Sequence, residues 1–156
     1  MTKSSSPRLT TSSAYRILQP GDFEDFQRLR ADAVVRHPSA YSASPGEDLA
    51  PDDDAARARL LPTQDQCVVG AFRLGSMVGM VGLVRLRPRK LSHRANLWGA
   101  YVAPDLRGQG IGRSLVRMAL AEAMRRPHLL QLNASVYSDS AAARRLFQGA
   151  GFTCWG

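Results

Sequence analysis

Lysine is almost missing from this chain of 156 residues. Of its 21 basic side chains only Lys3 and Lys90 are lysines, and the rest are arginines. Cysteine is equally scarce. Cys67 and Cys154 stand far apart, with no CxxC or histidine spacing, so neither a disulfide framework nor a metal site is expected. Cys67, inside "QCVVGAF", reads as a small buried hydrophobe. No apolar run approaches the roughly 18–20 residues of a membrane span, so no membrane partner is expected. The opening "MTKSSSPRLTTSS" lacks the apolar stretch of a secretory signal. Residues 1–13 therefore read as a flexible tail, residues 14–156 as one domain, and the location as cytoplasmic. What the chain does have is a net charge of +8 and a hydrophobic content of 44%, an ordinary globular balance. Arginine suits phosphate or carboxylate recognition because its fork binds two oxygens at once. A basic surface could also hold nucleic acid nonspecifically, and charge alone does not choose.

Hydrophobic periodicity gives the element order. "AYRIL" (14–18) reads as a strand. "PGDFEDFQRLRADAVVR" follows as a helix, with Asp22 as N-cap and Phe23, Phe26, Leu29, Ala33 and Val34 on its apolar side. "HPSAYSASPGED" reads as a loop and "PDDDAARARLL" as a short helix with acids in its first turn. Strands "QCVVGAFRL" and "MVGMVGLVRLR" are expected to join through a two-residue turn at Gly75-Ser76. After the turn "PRKL" comes a strand, "HRANLWGAYVA". The segment "IGRSLVRMALAEAMRR" is strongly helical, with Ile111, Leu115, Met118 and Ala119 on one face and Arg113 and Arg117 on the other. Pro127 stops it. "LLQLNASVY" reads as a strand and "SAAARRLFQGAGF" as a closing helix. The pattern βααβββαβα is a mixed α/β fold on one sheet. Its late strand–helix–strand unit requires a parallel pair.

Gly108, Gly110 and Gly112 crowd the start of what otherwise reads as a helix. Each glycine in a helix interior costs about 0.5–1 kcal/mol relative to alanine. A strand ending in a glycine-rich turn that opens a helix is a candidate phosphate cradle, because the first backbone N–H groups are unsatisfied and glycine admits a close approach. Arg107 and Arg113 add charge on either side. The spacing "GQGIGRS" fits neither the P-loop nor the dinucleotide fingerprint, which would need a glycine where Arg113 stands.

Arg107-x-x-Gly110-x-Gly112 follows "YVAPDL" and fits the pattern R/Q-x-x-G-x-G/A. In this it resembles the GCN5-related N-acetyltransferase (GNAT) family. "SAAARRLFQGAGF" is similar to that family's N-x-x-A-x-x-L-Y-x-x-x-G-F, with Ser140, Ala143, Leu146, Phe147 and Gly151-Phe152 at matching positions. The resemblance is specific over residues 91–152. It implies a mostly antiparallel mixed sheet flanked by helices, with a splayed parallel strand pair around an acetyl-CoA site. The pyrophosphate would rest on Arg107, Gly108, Gln109, Gly110, Ile111, Gly112, Arg113 and Ser114. Backbone groups of Tyr101 and Val102 would hold the pantetheine arm, and Ser140 would replace the usual asparagine beside it.

The implied reaction is direct attack of a primary amine on the thioester of acetyl-CoA, the cosubstrate, with no metal. The acceptor would be a small molecule, a peptide N-terminus or a protein lysine. Phe147 stands where the family often has a tyrosine acid, and Tyr137 is the candidate substitute. His93 is a candidate base, as is Glu47 beside the acceptor, and water-mediated proton removal is an equal alternative. Tyr41 lies in the loop where the family shapes its acceptor pocket. The positive charge argues against polycationic acceptors. The family normally continues beyond "GF" with about two further strands, so its C-terminal strands read as shortened here. The strand "LLQLNASV" is then expected to expose an edge, with dimerisation across it, reduced stability or a truncated reading frame as the consequences left open. The alternative function is a CoA-binding module without useful catalysis, acting through a protein or RNA partner. A purely nucleic-acid-binding role is disfavoured, because the arginines are scattered and no aromatic platform interleaves them.

Overall fold

The computed structural model describes residues 12–38, 53–136 and 140–155. Its elements run β1 (Ala14–Ile17), α1 (Phe23–Arg36), α2 (Asp53–Ala58), β2 (Gln66–Arg73), β3 (Ser76–Arg85), β4 (Arg94–Val102), α3 (Ile111–Met124), β5 (Gln131–Ala134) and α4 (Ala141–Gly149). This is the expected order, built on one sheet in the sequence β1-β2-β3-β4-β5. The first four strands pair antiparallel, and β4 pairs parallel with β5 through the α3 crossover.

Both faces of β2 and β3 are covered, which is why their sequences are nearly continuously apolar rather than alternating. Leu29 and Ala33 of α1, with Ala56 and Leu60 at α2, close over Val68, Met77, Met80 and Tyr101 on one face. Ile111, Leu115, Val116 and Ala119 of α3, with Phe147 of α4, cover Val69, Ala71, Val81 and Leu83 on the other. Cys67 is fully buried, as a small hydrophobe should be, while Cys154 is exposed.

Several local expectations shift. The β2–β3 turn consists of Leu74-Gly75, not Gly75-Ser76, since Arg73 pairs with Ser76 and the two residues between them take positive φ. Asp22 is the N-cap residue of α1, but its carboxylate makes no capping bond. It accepts both Arg16 guanidinium nitrogens at 2.7 Å and the Gln19 amide at 2.8 Å. Among the described residues of the segment "LLQLNASVY", the strand covers Gln131–Ala134.

Two packing features fix the frame around the site. Trp98 of β4 lies across Gly82 of β3, its register partner, so closely that a methyl group at residue 82 would fall 2.0 Å from the ring. Phe26 meets the same ring edge-on at 6.3 Å, leaving it little room to retreat. Gly82→Ala is therefore expected to cost about 1–3 kcal/mol in denaturant titration, the usual range for overpacking. A loss under about 0.5 kcal/mol, the ordinary surface value, would mean that Trp98 does not sit there. At the far end of α3, Arg126 is 8% exposed and ties that helix to the loop before β2. Its Nη2 donates to Thr63 O at 2.9 Å, its Nε to Gln64 O at 3.2 Å, and its Nη1 to Glu122 O at 2.6 Å.

Candidate functional site

Gly108 and Gly110 lie in a turn, and Gly112 falls in the first turn of the helix. β4 ends at Val102, one 3-10 turn follows over Pro104–Leu106, and α3 begins only at Ile111. Gly108 and Gly110 take φ of 77° and 83°, so neither incurs the helix-interior cost of glycine. A Cβ at either position would meet nothing within 4 Å. Backbone conformation, not packing, is thus what calls for glycine here, and the space beside the turn is open. Gly110 is the N-cap and has no side chain to satisfy the first N–H groups of α3. The helical ladder starts with Ser114 N on Gly110 O at 3.1 Å.

The neighbouring residues divide the work. Ile111 buries its side chain in the core and anchors the helix start. Gly112 faces Leu146 of α4, whose Cδ2 would lie 3.4 Å from a Cβ at that position. It serves helix packing as well as the turn. Gln109 Oε1 accepts from Arg73 Nη1 at 2.8 Å, fastening the turn to β2. Arg113 is exposed. Arg107, expected to add charge beside the turn, instead folds its guanidinium back. Its Nε donates to Val102 O at 3.1 Å and its Nη2 meets His37 Nε2 at 3.1 Å.

The strand leading into this turn outruns its parallel neighbour. Residues 94–97 of β4 pair with Gln131–Ala134 of β5, and β4 then runs on past that paired stretch. The β3–β4 register slips at the same point. Gly82 opposes Trp98 but Met80 opposes Tyr101, so Gly99 and Ala100 face Val81 alone. This is a β-bulge, with Gly99 at φ 63°. The Arg30 guanidinium lies beside it, 5.4 Å from the Trp98 ring centre and with Nη1 2.8 Å from the position of a Cβ on Gly99. A strand that outruns its neighbour can take an extended ligand in strand-like fashion.

Beneath the bulge end of β4, Tyr101 is 5% exposed. Its hydroxyl donates to Asp32 Oδ2 at 2.6 Å, and Asp32 also accepts Arg36 Nε at 2.9 Å. The Tyr101 bond, and after it the Arg36 bond, hold the Asp32 carboxyl below its ordinary range. Burial first, then the Asp32 bond, pushes the Tyr101 phenol up to about 12. Because the folded value is raised, this contribution to stability is complete below about pH 10 and fades as pH climbs toward 12.

The sequence candidates scatter. Tyr101, Val102 and residues 107–114 converge on one end of the sheet. His93 precedes the opposite end of β4, eight residues and roughly 26 Å from Tyr101, where its carbonyl accepts the Leu130 and Gln131 amides. Ser140 is the N-cap of α4. Tyr41, Glu47 and Tyr137 lie outside the described residues. Phe147, the apolar stand-in for a tyrosine, is a core residue that packs edge-on to Phe152 at 5.3 Å. Asp32, His37 and Arg30 were not found by sequence reasoning. Asp32 and Arg36 show there only as an ordinary i,i+4 pair on α1. Among the described residues no group of three or more His, Cys, Asp or Glu is placed to hold a metal, and no helix is long and apolar enough to cross a membrane.

Comparison with known proteins agrees with this geometry. Residues 26–152 match the model of the Acetyltransferase (GNAT) family. The chain is 31% identical over 91 residues to phosphinothricin N-acetyltransferase of Alcaligenes faecalis, a match covering 57% of this chain and 46% of that enzyme. The chain thus spans about half the length of that relative. The fold is similar to a GNAT-family acetyltransferase from Streptococcus pneumoniae, with TM-score 0.81, 20% identity and coverage of 93% and 86% of the two chains. It is also similar to a predicted acetyltransferase of Clostridium acetobutylicum solved with acetyl-CoA, with TM-score 0.72, 14% identity and 92% coverage of each. A family match over most of the chain and a shared fold lead to one conclusion: the chain belongs to the GNAT family of acetyltransferases.

Proposed function

We propose that this protein transfers an acetyl group from acetyl-CoA to the primary amine of a small molecule or peptide by direct attack. The observation that carries the reading is the open glycine turn at the start of α3, directly beyond a strand that bulges against β3 and runs on past its pairing with the parallel β5. The turn offers backbone N–H groups and the positive end of the helix dipole to the pyrophosphate. Residues 98–102 of β4 offer the pantetheine arm an extended wall. The amine nitrogen attacks the thioester carbon, the C–S bond breaks, and the thiolate leaves. A backbone N–H on β4 stabilises the oxyanion. Water removes the amine proton in this reading, since His93 lies at the other end of β4 and the described site offers no second candidate base beyond the paired Asp32. Tyr137, just after β5, is proposed as the donor that returns a proton to sulfur, although a thiol of pKa about 8.5 does not require one near neutrality. The phosphinothricin N-acetyltransferase match supports an amine acceptor of low molecular mass.

The test is release of the CoA thiol from acetyl-CoA across a panel of primary amines. Turnover of one class, slowed several-fold in Tyr137→Phe, supports the reading. Binding of acetyl-CoA without thiol release from any amine would favour the alternative, a CoA-binding module, which the burial of Phe147 in the core already suits. β5 ends the sheet order, and a second copy is proposed to pair along it. Sedimentation as a monomer at micromolar concentration would remove that part.

A further inference from the structure

We infer that Asp32 of α1 is a positioning residue for acetyl-CoA, acting through the Tyr101 hydroxyl to fix the end of β4 that faces the cosubstrate. The inference rests on the acetyl-CoA site proposed above. Past the bulge, β4 has outrun its pairing with β5 and is paired on its other side with β3, through Tyr101 to Met80 and Val102 to Gly79. A segment secured along one edge needs a second hold if it is to present a fixed wall. The side chains provide one. Tyr101 reaches under α1 to Asp32, whose carboxylate is itself held by Arg36. The Arg107 guanidinium lies over the Tyr101 ring at 5.4 Å, and the His37 ring meets the same tyrosine edge-on at 6.1 Å. From that position Arg107 holds the Val102 carbonyl at 3.1 Å and His37 at 3.1 Å.

Asp32 and Arg36 of α1, with His37 at its C-cap, are thereby joined to Tyr101, Val102 and Arg107. These last are the strand end and the first position of the glycine motif. Arg107 thus acts as a clamp on its own turn, and Tyr101 is the surface on which the clamp rests. The Tyr101–Asp32 bond is charge-assisted and buried on the tyrosine side, the kind that holds geometry most firmly. Without it the strand end must be ordered at the moment of binding, and that ordering is subtracted from affinity.

The experiment is a double-mutant cycle read by calorimetric titration with acetyl-CoA, with thermal unfolding run in parallel. Tyr101→Phe removes one oxygen and keeps the ring, and is expected to weaken acetyl-CoA binding about tenfold. Asp32→Ala should do the same, and the double variant should be no weaker than either single one, because both changes break the same bond. Asp32→Asn keeps an acceptor for the hydroxyl and should recover part of the loss. Arg126→Ala, some 22 Å along α3 from the turn, serves as the stability control. It should lower the unfolding temperature without altering affinity. Additive losses in the double variant, unchanged affinity in Tyr101→Phe, or affinity that merely tracks unfolding temperature across all variants would each overturn the inference. Failure of the unsubstituted protein to bind acetyl-CoA would instead overturn the proposed function. Should Asp32→Ala not fold, Tyr101→Phe with Asp32→Asn completes the same cycle.

Discussion

Gly110→Glu is expected to weaken acetyl-CoA binding by at least about a hundredfold while leaving a folded protein, a loss of roughly 2.7 kcal/mol in binding free energy. Residue 110 has φ 83° and caps α3. A side chain in that left-handed conformation costs about 1–2 kcal/mol. The new Cβ meets no protein atom within 4 Å, so packing adds nothing to that cost. For a chain of this size the unfolding temperature should drop by only a few degrees, at about 2–4 °C per kcal/mol. The carboxylate, however, would occupy the space in front of the first amides of α3 and repel a pyrophosphate there. Gly110→Ala separates the two effects. It carries the same backbone strain without the charge, and should bind with intermediate affinity. Near-normal binding in Gly110→Glu would mean that the phosphates lie elsewhere.

Arg126→Ala should be strongly destabilising for the change of a polar side chain, at about 3 kcal/mol in denaturant titration. The guanidinium satisfies two carbonyls of the loop before β2 and one of its own helix, and lies 3.3 Å from the Glu122 carboxylate. Its loss strands Thr63 O and Gln64 O and leaves a carboxylate that is 7% exposed with Arg125 alone. Breaking a buried pair typically costs about 3–5 kcal/mol, and the surviving Arg125 contact puts this case at the lower end. Replacing both partners, as Glu122→Met with Arg126→Met, should recover part of the loss on the Glu122 side. A change below about 1 kcal/mol in Arg126→Ala would show that the loop does not depend on this contact.

Element order was legible because each element carries its own signal: the apolar runs of β2 and β3, the helical spacing of α1 and α3, and the punctuation at Gly75 and Pro127. The glycine motif located its turn correctly in the chain. The helix start at Ile111 was read correctly too, although a pattern of letters does not reveal that Gly108 and Gly110 take positive φ before it. The β2–β3 turn slipped by one residue for a related reason. Gly75 marks a turn, but cross-strand register decides which neighbour joins it, and here that is Leu74. Side-chain direction was least legible. The sequence gives no sign that the Arg107 guanidinium also meets Val102 O and His37, partners fixed by how the chain folds around it. Asp32 and Tyr101 stand 69 residues apart and meet only in the folded chain. Arg126 and Glu122, spaced by four, drew no reading from the sequence and prove to be buried. No local pattern distinguishes these cases, because burial is a property of the assembled sheet and helices.

The most direct measurement is a calorimetric titration of the unsubstituted protein with acetyl-CoA at near-neutral pH and moderate salt. If the glycine turn and the bulged strand form an acetyl-CoA site, binding should saturate at one equivalent per chain and be lost in Gly110→Glu. Absence of saturable binding by a protein whose unfolding is cooperative would contradict that assignment, and with it the acetyltransferase reading of this chain.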